Sequence, residues 1–164
     1  MEKIDFKNKK IFVIGGYGLI GNAVANLLNY NGAKVFILDQ NKLIKNKFIF
    51  CKFKVTNQLS SIENNLKKIF NIHGVPHGVI NCSYPTNKFW KKSSFKKIKH
   101  YNFDENIDLH LKSYTWIAKI FAQKMKLKKI KGKIVQLTSI YGILGQDLSI
   151  YKNTKMDENI TYPL

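Results

Sequence analysis

The nine residues "VIGGYGLIG", 13–21, constrain this chain more than any other stretch. They join a short continuous apolar run, "KKIFVIGG" (9–16), to a helical stripe, "LIGNAVANLLNYN" (19–31), with Gly32 placed to end the helix. A run that short and that apolar reads as a strand covered on both faces, as strands of a parallel sheet are. Gly15, Gly18 and Gly21 punctuate the turn three residues apart. Glycine admits φ > 0 and lets the backbone approach a pyrophosphate, which the free N–H groups of the following helix then hold. Three glycines alone are a weak signal, but the strand–turn–helix setting strengthens it. Tyr17, Leu19 and Ile20, in the same turn, stand with the glycines as candidate cofactor contacts.

The second apolar run, "AKVFILD" (33–39), ends in Asp39, 18 residues beyond Gly21. A carboxylate there accepts hydrogen bonds from a ribose 2′-hydroxyl. It would repel a 2′-phosphate, by about 4 kcal/mol per charge pair at 4 Å in an effective dielectric of 20. NAD is therefore the expected cofactor and NADP the disfavoured one, with Lys42 close enough in sequence to soften the penalty.

The pattern continues along the chain. "KFIFCKFKV" (47–55) reads as a third strand, and Leu59, Ile62, Leu66, Ile69 and Phe70 form one face of a second helix. "HGVINCS" (77–83) is a fourth strand, and residues 84–102 read as a loop with a short helix. A long helix is expected over 103–128, with Leu111, Tyr114, Ile117, Phe121 and Met125 facing inward, followed by a fifth strand in "GKIVQLTS" (132–139). Strands alternating with helices predict a doubly wound, Rossmann-like α/β domain: about five parallel strands between two helical layers, binding ligands at the strands' carboxyl ends. Residues 1–164 read as one such domain, without internal repeat or linker.

Composition narrows the partners. The chain is 45% hydrophobic and carries a net charge of +18, with all 28 basic residues Lys and none Arg. Arg is the side chain that reads bases and phosphates bidentately, so a specific nucleic-acid role is not expected; a solvated basic surface is. No apolar run is long enough to span a membrane, and no membrane partner is expected. The apolar run after the charged N-terminus closes in glycines rather than a cleavage site, and Cys51 and Cys82 share no metal-binding spacing. The expectation is a cytoplasmic protein in a reducing compartment.

With "VIGGYGLIG", "VINCSYP" (79–85) and "GKIVQLTSIYG" (132–142) in view, the chain resembles the short-chain dehydrogenase/reductase family along essentially its whole length. Within that family, "NCSYPTN" and "LHLKSY" look most like oxidoreductases of surface-glycan and flagellin-modification pathways. The resemblance implies NAD(P)-dependent oxidation of a secondary alcohol or reduction of a ketone, with a small-molecule, sugar-derived substrate and a homo-oligomeric assembly. It places Asn81 on the nicotinamide side of the cofactor and makes Ser139 the serine that orients the substrate oxygen. Cys82, Ser83 and Tyr84 depart from the family's usual residues after Asn81, and two positions elsewhere depart as well. His110 stands where an active-site Asn is usual, and Lys54 where an acidic adenine contact is usual.

The chemistry also calls for a Tyr acid/base with a Lys one helical turn later, which lowers its pKa. Tyr151 and Lys155, in "YKNTK", fit that spacing, 12 residues after Ser139, but a polar stretch follows at once. Tyr162, 23 residues after Ser139, is followed by Pro163, a residue suited to a helix's first turn. Tyr162 is the preferred catalytic tyrosine and Tyr151 with Lys155 the alternative. On the first reading the Lys would lie beyond Leu164, so the chain is expected to be a C-terminally truncated fragment with little activity. Two other readings stay open: a sugar-nucleotide epimerase or dehydratase, and a non-catalytic dinucleotide-binding protein. A third is charge-driven binding of polyanions.

Overall fold

The computed structural model describes residues 4–43, 47–87 and 93–154. Its elements are β1 (Lys10–Ile14), α1 (Leu19–Tyr30), β2 (Lys34–Asp39), β3 (Ile49–Lys52), α2 (Leu59–His73), β4 (Gly78–Asn81), α3 (His100–Ile107), α4 (Ser113–Leu127) and β5 (Lys133–Gln136). All strands are parallel, in the order β3-β2-β1-β4-β5. The chain reverses its direction of travel across the sheet between β3 and β4, so β1 and β4 flank the switch point where such folds bind ligands.

Parity along the strands sorts the core into two layers. Ile11, Val13, Val35 and Ile37 pack with Ala25 and Leu28 of α1 on one face. Phe12, Ile14, Phe36 and Leu38 pack with Ile62, Leu66 and Phe70 of α2 and Ile117 and Phe121 of α4 on the other. Successive strand side chains point to opposite faces, so a continuous apolar run is what two covered faces demand. The rings of Phe12, Phe70 and Phe121 meet with centroids 5.2–6.5 Å apart, two of the contacts edge-on. The doubly wound α/β architecture is the one expected.

Two local expectations are corrected, and a third is tested only in part. β3 is limited to Ile49–Lys52, although the Phe53 N–H still donates to the Asp39 carbonyl at 2.8 Å. Of 84–102, residues 84–87 and 93–99 hold no helix and α3 opens at His100, while 88–92 lie outside the described residues. The long helix runs from His100 to Leu127 but is interrupted by a π-helical turn at Asp108–Lys112. Ser113 Oγ donates back to the Leu109 carbonyl at 2.5 Å, competing with the regular ladder. The wider turn shifts the helical phase: Leu111, expected inside, is 56% exposed, whereas His110 and Ser113 are buried.

β5 differs from the other strands. Among the described residues it pairs only with β4, and three of its four residues are exposed. Val135 and Leu137 show 43% and 40% of their surface to solvent. Among the described residues no helix is long and apolar enough to cross a membrane.

Candidate functional site

The turn between β1 and α1 is shaped by what its glycines allow. Gly15 adopts φ +70°, donates its N–H to the Leu38 carbonyl at 2.9 Å, and lies so near the exit of β4 that a Cβ would fall 2.7 Å from Ser83 Cα. A Cβ on Gly21 would fall 2.2 Å from the Gly15 carbonyl oxygen, so this position decides how closely α1 approaches the turn. Gly18 is the N-cap residue of α1, with no side-chain cap and no acidic residue in the first turn. The first N–H groups of a helix lack intrahelical acceptors, and here no side chain of the cap or first turn neutralises them.

Asp39, at the carboxyl end of β2, ties the turn to the sheet. Its Oδ2 accepts the Tyr17 N–H at 3.1 Å and its Oδ1 accepts the Gln40 N–H at 2.8 Å. Each carboxylate oxygen has a second lone pair for a ligand. The Tyr17 ring stacks on Phe50, centroids 6.0 Å apart, and burial pushes its phenol pKa up.

A cleft of about 980 Å³ opens at this edge of the sheet. Gly15, Tyr17, Gly18, Leu19, Ile20 and Asp39 all line it, as six of the expected cofactor contacts. Gly21 sits behind the wall. Lys54 also lines the cleft, with Val55 and Thr56, where the resemblance puts an acidic residue. The opposite wall is Cys82–Thr86, Glu105 and Leu109, most of which sequence reasoning had not singled out. Gly16 was missed too: a Cβ there would meet Ile37 Cδ1 at 2.3 Å. The signal for that wall was topological, since the loop after β4 must emerge beside the β1 turn.

That loop is laced to the long helix. Asn87 Nδ2 donates to Glu105 Oε2 at 3.2 Å, the Tyr84 ring stacks on His110 with centroids 4.7 Å apart, and the Tyr114 hydroxyl donates to the Ser83 carbonyl. Burial pushes the Tyr114 phenol up to about 12. His110 Nδ1 meets the Asn106 carbonyl at 3.1 Å, and burial holds the imidazole below its ordinary pKa.

Asn81 is 3% exposed, and its amide is engaged: Nδ2 donates to Gln136 Oε1 at 2.9 Å, while Oδ1 accepts Ser83 Oγ at 2.6 Å. It braces β4 against β5 at the cleft's edge. Ser139 follows β5 as the N-cap of a one-turn 3₁₀ helix, its Oγ accepting the Tyr141 N–H at 3.2 Å; it is not among the residues lining the cleft. Tyr151 closes a second 3₁₀ turn (Leu148–Tyr151), after which Lys152 is extended and Asn153 has φ +61°. No α-helix runs on from Tyr151 over the described residues. Lys155 and Tyr162 lie outside the described residues.

The comparisons with known proteins agree with the fold. The model of the short chain dehydrogenase family matches residues 9–156. The chain belongs to that family. Among curated relatives, this family member is 26% identical over 168 residues to the post-translational flagellin modification protein A of Campylobacter coli, covering 95% of this chain and 65% of that protein. It is 29% identical over 150 residues to the 3-oxoacyl-[acyl-carrier-protein] reductase FabG of Rickettsia typhi, covering 87% of this chain and 58% of that protein. The chain thus spans about six-tenths of the length of these relatives. A short chain dehydrogenase from Leptospira borgpetersenii with bound NAD+ superposes with a TM-score of 0.78 at 23% identity, covering 96% of this chain and 60% of that one. At that identity the likeness speaks for the fold.

Proposed function

We propose that this chain forms a single NAD-binding domain of an oxidoreductase that moves a hydride between a nicotinamide dinucleotide and a secondary alcohol or ketone. The observation that carries the reading is the junction of Gly15, Tyr17 and Asp39, where a glycine turn, an uncapped helix N-terminus and a carboxylate meet at one end of the cleft. The fit to a dinucleotide is good on three counts. A Cβ at Gly15 or Gly21 would close the turn, the α1 N–H groups suit a pyrophosphate, and Asp39 retains lone pairs for a ribose diol. Leu19 and Ile20, exposed at 93% and 57% in this wall, offer apolar cover for the bound cofactor.

The cofactor supplies the hydride acceptor, and the protein's part is to bind and orient it. The Asp39 charge favours NAD over NADP. Ser139 would hold the substrate oxygen, Tyr162 would exchange its proton, and Asn81 would keep β4 and the nicotinamide side in register; Tyr151 with Lys155 is the alternative pair. A sugar-derived substrate, as the resemblance of "NCSYPTN" and "LHLKSY" implies, and a cytoplasmic location are proposed with it.

The test is titration of the chain with NADH and with NADPH, followed by cofactor fluorescence. NADH should bind more tightly. Loss of charge-assisted hydrogen bonds, worth about 1.5–3 kcal/mol, should weaken NADH binding roughly ten- to a hundredfold in Asp39→Asn. The preference over NADPH should narrow in the same variant. Unchanged NADH affinity in Asp39→Asn would remove the basis of the reading.

A further inference from the structure

The end of the molecule opposite the cleft carries a second organised surface. In a parallel α/β fold the helices run antiparallel to the strands, so helix C-termini gather at the strands' amino edge. Register shows this edge directly: Lys10 pairs with Lys34 and Gly78 with Lys133. The Lys34 N–H donates to the Lys9 carbonyl, and the Lys133 N–H to the His77 carbonyl. Lys9, Lys34 and Lys133 at the strand starts are exposed, as are Lys128, Lys129 and Lys131 in the turn after α4.

Counter-charges are segregated away from this edge. Asp39 and Glu105 line the cleft, Glu63 bonds Trp116 near the start of α4, and Asp104, Asp108 and Asp147 lie in α3, the π-turn and the segment beyond β5. Asp5, beside Gly32, is the one carboxylate at the amino edge among the described residues. The crowding of like charge is felt locally. Burial and then the charges of Lys10 and Lys34 depress the His73 pKa, and burial and then Lys34 depress that of Lys10.

Apolar tips stand among these lysines. Tyr30 in the last turn of α1 is 82% exposed, Ile72 in the last turn of α2 is 74%, and Leu127, the last residue of α4, is 73%. Three helices, from both layers of the fold, therefore each end in a solvent-facing apolar side chain at the edge where the lysines gather. Single exposed apolar residues are common on protein surfaces, but three at one edge among lysines give that edge the mixed basic and apolar character of a face that lies on a membrane.

We propose that the amino edge of the sheet is a docking face for an anionic lipid bilayer, with the lysines held at the headgroups and Tyr30, Ile72 and Leu127 dipping into the interface. Lysine suits this role because it needs only a diffuse negative surface, whereas planar, bidentate recognition of a single phosphate calls for Arg. The expectation of no membrane partner rested on the absence of a spanning segment, and lying on a bilayer requires none. Docked this way, the protein would turn its cofactor cleft toward solvent.

The experiment is co-sedimentation of the chain with vesicles of phosphatidylcholine alone and of phosphatidylcholine with phosphatidylglycerol, at low and high salt. Binding should need phosphatidylglycerol and fade at high salt. Each surface lysine contributes about fivefold to partition, so Lys128→Gln/Lys129→Gln/Lys131→Gln should lose on the order of a hundredfold. The matched variant Lys52→Gln/Lys96→Gln/Lys152→Gln, away from this edge, should lose far less. Ile72→Ser/Leu127→Ser should also weaken binding. No binding to the anionic vesicles, or equal losses in the two lysine variants, would overturn the proposal. An unchanged Ile72→Ser/Leu127→Ser variant would do so too, since a purely electrostatic partner such as nucleic acid or an acidic protein ignores those side chains.

Discussion

The turn at Gly15–Gly21 and the segment around Ser139 are the two places where the sequence puts chemistry, and they are built differently. The first is fixed by backbone packing on every side: β1 below, β2 through Asp39, and the exit of β4 within 2.7 Å of where a Gly15 Cβ would lie. The second leaves β5, an edge strand among the described residues, and continues through exposed Ile140, Ile143, Leu144, Leu148 and Ile150. A site that reads a cofactor through its main chain needs a rigid turn, and buried neighbours supply it. A serine at the end of an edge strand is held by its own short turn, chiefly through the Tyr141 N–H.

The strongest contrast is in stability. Phe121 is fully buried between α2 and the sheet, so Phe121→Ala should cost about 3–5 kcal/mol. Val135→Ala on β5 should cost far less, since 43% of that side chain is already exposed. Urea unfolding of the two variants measures this. Equal losses would mean that the β5 face is covered in solution and the contrast is false.

Within the turn, the glycines should separate as well. Gly21→Ala forces a Cβ onto the Gly15 carbonyl and should cost about 1–3 kcal/mol while weakening dinucleotide binding. Gly18→Ala should be milder in stability, because Gly18 has φ −68° and its Cβ would meet the Gly15 oxygen at 3.3 Å. Thermal melts with and without NADH would compare them. If Gly18→Ala proved the more damaging, close packing of α1 on the turn would not be what the glycines are for.

Much of this was legible in the sequence for a physical reason. Apolar runs such as "FVI" and "VFIL" must be covered on both faces, and Gly15, Gly21 and Asp39 occupy positions dictated by backbone geometry. What was not legible depends on contacts distant in sequence. The inward face of α3 and the π-turn carries Asn102, Asn106 and His110 instead of hydrophobic residues, so periodicity alone placed Leu111 inside and missed the π-turn. The cleft wall of Ser83–Thr86 has no local pattern of its own; it becomes a wall because Tyr114 and His110 hold it there. Ser139 was visible as a motif, but nothing in its neighbours indicated that β5 would have three of its four residues exposed.

The smallest effect expected concerns that buried polar face. His110 is 5% exposed, and burial keeps its imidazole below the pKa it has in an unfolded chain, about 6.5. Around it lie the Tyr84 and Tyr114 rings and the Asn106 carbonyl, while the Asp108–Lys112 pair on its own π-turn stays at the surface. Because the folded pKa is the lower one, the unfolded state binds more protons as pH drops. Stability from neutral His110 is therefore complete above about pH 6.5 and is lost as pH falls through the folded pKa. His73 is shifted the same way, so the wild-type slope combines both. His110→Gln should flatten part of that slope between pH 7 and pH 5 and leave the His73 part in place. It should also loosen the loop that Tyr84 anchors, which hydrogen exchange at residues 83–87 would register as faster opening. A slope unchanged by His110→Gln would mean that the imidazole titrates freely, and that the loop is held to the helix by Tyr114 and Glu105 alone.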